Sequence, residues 1–371
     1  MTTNNPSSLE EIWKLNLEYL VCPACSRAFL VPEGNPINTC PQCLDGQLQT
    51  FSAPLRPEAS ELLIPFRIQQ GDLPAKFSGF CKDLWLAPTD FSAKKLSDRS
   101  IPLFFPLWLV DATCEGTWEA EAGFNYQVQS SREVYRDGAW QSQSVQETRV
   151  RWEKRLGQIN RRYQNVAVRA VEDHAVWFSS LGQFDFSKSI PYDPAKISHA
   201  VLRSPDILPE KSWPDAEIHL KKLIEKDCQQ ASDAQQIRGF SAMVDYFDQN
   251  WTQILLPVYT SYYTADDQQK IQVLVNADTG QIYGPKIASQ KKGWKTAGII
   301  GGVGLGFIFL SILLFLITPL FPPIGVLATI LMVIGIGLAV FAIVPAVYPW
   351  LWNRKQTDLR VFKSTINPSK R

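Results

Sequence analysis

TAGIIGGVGLGFIFLSILLFLIT, residues 296–318, and IGVLATILMVIGIGLAVFAIVPAV, residues 324–347, decide how this chain is read. The 58 residues from Thr296 to Asn353 contain no Asp, Glu, Lys or Arg. A helix of about 20 apolar residues crosses a bilayer core roughly 30 Å thick. At 23 and 24 residues, the two runs predict two transmembrane helices. The soluble alternative, a buried helical hairpin, needs protein on every face, and nothing after residue 353 is expected to supply it. Pro319-Leu320-Phe321-Pro322-Pro323 ends one helix and begins the next, so the hairpin is tight.

The flanks predict orientation. Lys291, Lys292 and Lys295 precede the first helix; Arg354, Lys355, Arg360 and Lys363 follow the second; the connection is uncharged. Positive-inside bias then expects a two-pass protein of the cytoplasmic (inner) membrane with both termini in the cytoplasm. Trp294, Tyr348, Trp350 and Trp352 stand where an aromatic belt belongs. Gly298, Gly302 and Gly306 recur every four residues, which predicts a face of the first helix packed against Gly335 and Ala339 of the second. No Lys follows these glycines at the spacing of a phosphate-binding loop, and no ionisable side chain enters the apolar segment. The pair reads as an anchor, not a transporter.

The first 295 residues have ordinary soluble composition, and 371 residues leave room for two or three domains. A net charge of +1 argues against a large overall attraction to nucleic acid. Residues 1–20 carry Asn4, Asn5, Glu10, Glu11 and Lys14 and no uninterrupted apolar core, so no secretory signal is expected. Within them, Ser7 and Ser8 stand three residues before Glu10 and Glu11, the pattern of a capped short helix.

Working further outward, Cys22-Pro23-Ala24-Cys25 and Cys40-Pro41-Gln42-Cys43 give the spacing C-x2-C-x14-C-x2-C. Each pair forms a knuckle that grips one metal. Cys22, Cys25, Cys40 and Cys43 together suit a closed tetrahedral Zn²⁺ site, structural because no coordination position is left for a substrate. The loop is one residue short for this pattern, and Ser26 and Leu44 stand where knuckles often carry Gly. Iron in a rubredoxin-like site is the rival metal, and redox-active disulfides a minor reading. Cys81, Cys114 and Cys228 read as ordinary buried thiols.

Between ribbon and hairpin, Ser52–Pro57 reads as a linker. Aromatic and β-branched runs predict strands at Leu62–Ile68, Leu103–Ala112, Trp118–Gln129, Val166–Val171, Ile254–Tyr263 and Ile271–Asn276. Ala265–Gln269 is expected to be a hairpin loop and Asp278-Thr279-Gly280 a tight turn. A helix is predicted from Ser212, with Asp215 completing its N-terminal box, Pro214 in its first turn, and Ile218, Leu220, Leu223 and Ile224 on its apolar side. Phe105-Pro106-Leu107-Trp108 and Leu256-Pro257-Val258-Tyr259 echo one another, each expected to start a strand. The reading is multidomain α+β: a short helix in 1–20, an N-terminal four-cysteine zinc ribbon over 21–51, a central mixed α+β domain over 60–290, transmembrane helices at 296–318 and 324–347 forming a C-terminal two-helix hairpin, and a basic tail over 353–371.

No catalytic residue or nucleotide-binding motif is predicted. The three histidines, His174, His199 and His219, have no catalytic spacing. Arg149, Arg151, Lys154, Arg155, Arg161 and Arg162, interleaved with Trp152 and Tyr163, fit either a single-strand nucleic-acid surface or a solvated face paired with Glu147 and Glu153, or a patch facing anionic lipid. Asp83, Asp111, Glu115, Glu119 and Glu121 near Trp85, Trp108 and Trp118 fit an acidic site or simple strand alternation.

Several phrases also carry a resemblance. They are Ile64-Pro65-Phe66, Leu84-Trp85-Leu86-Ala87-Pro88, Pro106-Leu107-Trp108-Leu109-Val110-Asp111, Glu119-Ala120-Glu121-Ala122-Gly123, Pro191-Tyr192-Asp193-Pro194, and Leu256-Pro257-Val258 leading to Val275-Asn276-Ala277-Asp278-Thr279-Gly280. With the ribbon and the terminal helices, the chain resembles, over nearly its whole length, bacterial TFIIB-type zinc-ribbon membrane proteins, which are often mislabelled primosomal or replication-restart helicases. ATPase motifs are absent, so the helicase label has no support in these residues. The resemblance implies a relation to membrane anchors of phage-shock-type systems, with flotillin-like or virion-core-like partners, and a recruitment role in envelope stress. It carries over no catalytic residue. The expected function is a non-catalytic interaction platform at the cytoplasmic membrane face, with a tethered nucleic-acid-binding protein and an unrecognised α+β enzyme as alternatives.

Overall fold

A computed structural model of the chain describes residues 8–35, 37–51, 57–136, 138–174 and 181–355. Most of the Ser52–Pro57 linker and nearly all of the basic tail, with Arg360 and Lys363, lie outside the described residues. The fold is mixed α+β, with a four-cysteine group near the N-terminus and two long apolar helical stretches at the C-terminal end. Two compact units divide the chain. Unit 1 is Met1–Pro106, Glu172–Asp206 and Leu255–Arg371; unit 2 is Leu107–Val171 and Ile207–Ile254.

Unit 1 begins with α1 (Leu9–Trp13), whose N-cap Ser8 accepts from the Glu11 amide at 3.3 Å, the cap expected from the sequence. Strands β1 (Leu17–Val21) and β2 (Ala28–Pro32) pair antiparallel, and β3 (Gln49–Thr50) adds to β1. A short β4 (Leu62–Leu63) follows; the strand expected over Leu62–Ile68 stops there. Two helices absent from the sequence reading come next, α2 (Leu73–Cys81) and α3 (Ala93–Asp98). They set Leu73, Phe77 and Leu96 into a core with Tyr259, Tyr263 and Val273.

Long strands replace the short ones expected. β5 (Ile101–Arg136) joins the two stretches Leu103–Ala112 and Trp118–Gln129, and β6 (Ala139–Arg169) pairs with it along its length, with one register shift between Val110 and Ala112. Next come β7 (Ile190–Pro191), α4 (Pro194–Ile197), β8 (Val201–Arg203), α5 (Pro209–Ala231), β9 (Gln236–Thr264), β10 (Lys270–Asn276) and β11 (Ile282–Tyr283). The main hydrogen-bonded strand order is β11-β10-β9-β5-β8-β2-β1-β3. Both prolines of the sequence echo, Pro106 and Pro257, therefore fall inside strands rather than at their starts. The β9–β10 loop at residues 265–269 closes as expected, with the Ala265 amide on the Gln269 carbonyl at 2.8 Å. Gly280, at φ +78°, provides the turn into β11.

Unit 2 packs α5 on β5 and β6. The helix starts at Pro209, three residues before the expected box, so Ser212 and Pro214 lie inside it. The Ser212 hydroxyl donates to the Arg169 carbonyl at 2.8 Å, and Asp215 pairs with Arg169, so neither residue caps the helix. Ala216, Leu220, Ile224 and Cys228, four residues apart, form the buried stripe against Trp108, Val110, Ala112, Cys114 and Tyr163. Ile218 and Leu223, expected on that side, are exposed because they fall off this i, i+4 row.

The apolar stretches are α6 (Gln290–Ile317), α7 (Ile324–Phe341) and α8 (Ile343–Lys355). Both α6 and the continuous stretch 324–355 are long and apolar enough to cross a membrane, and little of either is buried within the protein. The packing face differs from the expected glycine stripe. Gly298, Gly302 and Gly306 have nothing within 4 Å of an added Cβ. At Gly304 a Cβ would lie 2.8 Å from the Gly335 carbonyl oxygen and 2.9 Å from the Ala339 nitrogen. Ala297, Gly301, Gly304, Ile308 and Ser311 alternate steps of four and three, the spacing that keeps one seam on a neighbouring helix, whereas a strict four-residue stripe drifts off it.

Gly304→Ala is therefore expected to lower the melting midpoint of the full chain in detergent micelles, at a cost of about 1–3 kcal/mol. Gly302→Ala, in open space, is expected to leave it unchanged or raise it slightly through helix propensity. Equal midpoints for the two variants would show that the seam is misplaced.

The hairpin base is tied into unit 1. Asn353 and Ala288 exchange hydrogen bonds at 2.8 and 3.0 Å, the Trp352 indole donates to the Lys286 carbonyl at 2.6 Å, and Tyr348 meets Trp85 edge-on at 4.9 Å.

Candidate metal centre

The turn between β1 and β2 carries the first cysteine pair, and a short bridge between Thr39 and Gln47 frames the second. The knuckles repeat one hydrogen-bond pattern. The Cys22 amide donates to the Arg27 carbonyl at 2.8 Å and the Ser26 amide to the Cys22 carbonyl at 2.8 Å. In the second, the Cys40 amide donates to the Gly46 carbonyl at 2.8 Å and the Leu44 amide to the Cys40 carbonyl at 3.0 Å. Ser26 and Leu44 are left-handed, at φ +57° and +64°, the conformation that favours Gly. The two departures noted in the sequence thus mark the two equivalent bends.

Ser26→Gly is expected to stabilise the metal-loaded chain by roughly 0.5–1 kcal/mol, since Ser26 is exposed and loses no packing. Competition against a metal chelator reads this directly; weaker retention than wild type would contradict it.

Four sulfurs converge. The Sγ atoms of Cys22 and Cys43 are 3.6 Å apart, those of Cys25 and Cys40 3.7 Å, and all four lie within 4.8 Å of one another. None is in a disulfide, and all four are at most 9% exposed. Thiol hydrogen bonds from Cys25 and Cys40, with the Asp45 and Gly46 amides, hold Cys43 low. Cys25 is drawn down by Cys40, but its bond to Cys43, burial and the charge there outweigh this and push it up to about 12. Bonding to Cys25 and Cys43, together with burial, pushes Cys40 up as well. Several thiolates held this close repel one another, and a bound metal ion would neutralise them. The donor set fits a metal.

Side chains that the sequence did not single out hold this cage to the rest of unit 1. Arg27, just past the first knuckle, contacts Glu172 at 2.9 Å and Asp206 at 3.0 Å. The fully buried Arg203 contacts Asp206 at 2.6 Å and Asp173 at 3.9 Å, and Gln42, inside the second knuckle, donates to Asp173. The Pro41 carbonyl accepts from Thr260 at 3.2 Å and Gln272 at 3.1 Å; the Leu44 carbonyl accepts from the Lys270 ammonium at 2.5 Å. Only Gly46, three residues after the last ligand, left a local signal: an added Cβ there would lie 2.3 Å from the Cys22 sulfur.

Other predicted clusters disperse. Within β6, Arg149 pairs with Glu147, Arg151 and Arg155 with Glu153, Arg161 with Asp227 and Arg162 with Asp111. Five of the six cations thus meet carboxylates, which favours the solvated-face reading of this patch. Among the acidic residues, Asp83 pairs with Lys286 and Glu121 with Arg238, while Glu115 accepts from Asn160. His219 contacts the Ala167 carbonyl at 3.0 Å, and His199 meets Phe66 edge-on at 5.3 Å, its pKa lowered by burial. Burial pushes the Cys114 and Cys228 thiols up to about 11, as inert core thiols require; Cys81 is only half-buried. Searches of protein-family models, curated proteins and solved structures find no match.

Proposed function

We propose that this chain is a zinc-ribbon protein held in the cytoplasmic membrane by its apolar hairpin, serving as a non-catalytic recruitment platform on the cytoplasmic face. One observation carries the reading: a closed four-cysteine cage and an apolar hairpin with exposed sides belong to the same compact unit. Zinc is the favoured occupant. A tetrahedron of sulfurs about 2.3 Å from its centre has edges of about 3.8 Å, close to the 3.6 and 3.7 Å separations. Four protein ligands leave no position for a substrate, so the metal's part is to fold the ribbon.

The anchor's topology follows from charge. Lys291, Lys292 and Lys295 at the start of α6 and Arg354 and Lys355 at the end of α8 stand at one end of the hairpin, and Pro319–Pro323 at the other is uncharged. Positive-inside bias puts the cage-bearing part in the cytoplasm. What the platform recruits is protein, in keeping with the paired charges of the β6 patch; partners of the phage-shock or flotillin-like kind, acting under envelope stress, are the class the sequence resemblance suggests. A cleft of about 550 Å³ in unit 2 offers an enzyme little, since its lining of Thr117, Trp118, Glu119, Leu156, Gly157, Gln158, Ser241 and Met243 contains a single carboxylate.

The test is purification of the full chain from detergent-solubilised membranes with and without envelope stress. Zinc at about one per chain and a stoichiometric partner protein are expected. Colour from bound iron would replace the metal, recovery in the soluble fraction would remove the anchor, and recovery alone under both conditions would remove the platform.

A further inference from the structure

The cations at the hairpin base are placed where helix energetics disfavour them. Lys291, Lys292 and Lys295 occupy the opening turns of α6, which has no acidic residue in its first turn. A helix N-terminus carries partial positive charge, so lysines there oppose the dipole. The carboxylate bonded to this turn is Asp266, which accepts from Ser289 at 2.8 Å and from the Lys291 amide at 2.9 Å. The Lys291 ammonium meets a carbonyl oxygen, that of Asp266, at 2.8 Å. Among the described residues, Lys292, Lys295 and Lys355 have no carboxylate within 4.0 Å, and all three are exposed. They differ in this from the β6 arginines.

The packing of α6 on α8 brings these charges to one level. A Cβ on Gly293 would lie 2.5 Å from the Pro345 carbonyl oxygen and 2.9 Å from Pro349, and Gln290 donates to the Ala346 carbonyl at 3.2 Å. Arg354 lies over the Trp350 ring at 5.4 Å. Trp294 and Trp350 are 64% and 55% exposed at this level, although each has an apolar body that water disfavours. Exposed indoles beside unneutralised ammonium groups, at the end of an apolar hairpin, match the headgroup layer of a bilayer: rings among the glycerol groups, cations on phosphates.

We propose that the base of the hairpin is a collar for anionic phospholipid headgroups, with Lys292, Lys295 and Lys355 contacting lipid phosphate and Trp294 and Trp350 fixing its depth. This rests on the membrane reading given above. The lipid then completes an electrostatic arrangement that the protein leaves open, and it steadies the junction where Asn353, Ala288 and Trp352 fasten the helices to unit 1.

The full chain is reconstituted into nanodiscs of phosphatidylcholine alone and of equal parts phosphatidylcholine and phosphatidylglycerol, and the co-purifying lipid is quantified after gentle detergent extraction. A phosphatidylglycerol-to-phosphatidylcholine ratio about fivefold above that of the bulk is expected, falling to about unity in the Lys292→Gln/Lys295→Gln/Lys355→Gln variant. Retention of the two lipids in bulk proportion by wild type, or undiminished enrichment in the variant, overturns the collar. Added inorganic phosphate at the same concentration should not displace the lipid; displacement would mean a free-anion site and equally overturns it. If the chain fails to enter either nanodisc, the anchor itself is wrong, an outcome distinct from failure of lipid selection.

Discussion

Gly46→Ala is expected to strip the metal from the cage while leaving every ligand in the sequence. The added methyl would sit 2.3 Å from the Cys22 sulfur and 3.0 Å from the Ala24 Cβ. Neither side can retreat. The Gly46 carbonyl holds the Cys40 amide at 2.8 Å, and its own amide donates to the Cys43 sulfur at 3.4 Å, so moving this backbone loosens two ligands at once. Moving Cys22 instead breaks its amide bond to Arg27. Removing outer contacts of a metal site commonly costs 10–100-fold in affinity, and displacing a ligand exceeds that, so metal retained after dialysis against a chelator should fall by about tenfold or more. On the zinc reading proposed above, a structural zinc contributes on the order of 10 kcal/mol to folding a small domain, so residues 17–50 should lose amide protection with it. Gly71→Ala, with nothing within 4 Å, is the control. Full metal retention by the Gly46 variant would mean that the cage is built differently.

That prediction also marks where the sequence was legible. Four cysteines at fixed spacing identify a metal cage because the chemistry needs those atoms, and the structure brings all four together. Ser26 and Leu44 were readable as the bends. The charge-free stretch announced its helices because composition alone carries that signal. Of the helix seam, the Gly335 and Ala339 side is legible but Gly304 opposite them is not, since six glycines in α6 offer two competing stripes and only the partner helix decides between them. Strands β5 and β6 were read as fragments or missed: a long ribbon exposed on both sides, as at Gln141–Ser144, buries no alternate residue and so lacks the period-two pattern. Helices α2 and α3 span nine and six residues, too short for a helical period to stand out. The network around Arg27 left least trace of all, because its members are joined only by the fold.

Arg203→Met is expected to destabilise the folded chain strongly. Its side chain is fully buried against Asp206 at 2.6 Å and Asp173 at 3.9 Å, and its guanidinium lies over Phe29 at 5.5 Å. Methionine replaces the apolar stem but takes one cation away from two carboxylates, 1% and 13% exposed, leaving Asp206 with Arg27 and Asp173 with the Gln42 amide. Breaking a buried pair in this way costs about 3–5 kcal/mol. The loss should depend on pH. Burial already holds the Asp206 carboxyl above its usual range, against the pull of Arg203 and Arg27. A carboxyl raised in the folded state contributes stability that is complete below its unfolded value and is lost as pH rises through the folded value. Removing Arg203 raises that value further, so the penalty should be largest near neutral pH and shrink in acid as Asp206 takes up a proton. Asp206→Asn in the same background should recover part of it at neutral pH, since the amide carries no charge to strand. Urea unfolding of the full chain in detergent, followed by near-ultraviolet dichroism at neutral and acidic pH, measures all three chains. A penalty below about 1 kcal/mol, or one equal at both pH values, would mean that water or rearrangement neutralises these carboxylates and that the cysteine cage is held to the rest of unit 1 by its backbone contacts at Pro41 and Leu44 instead.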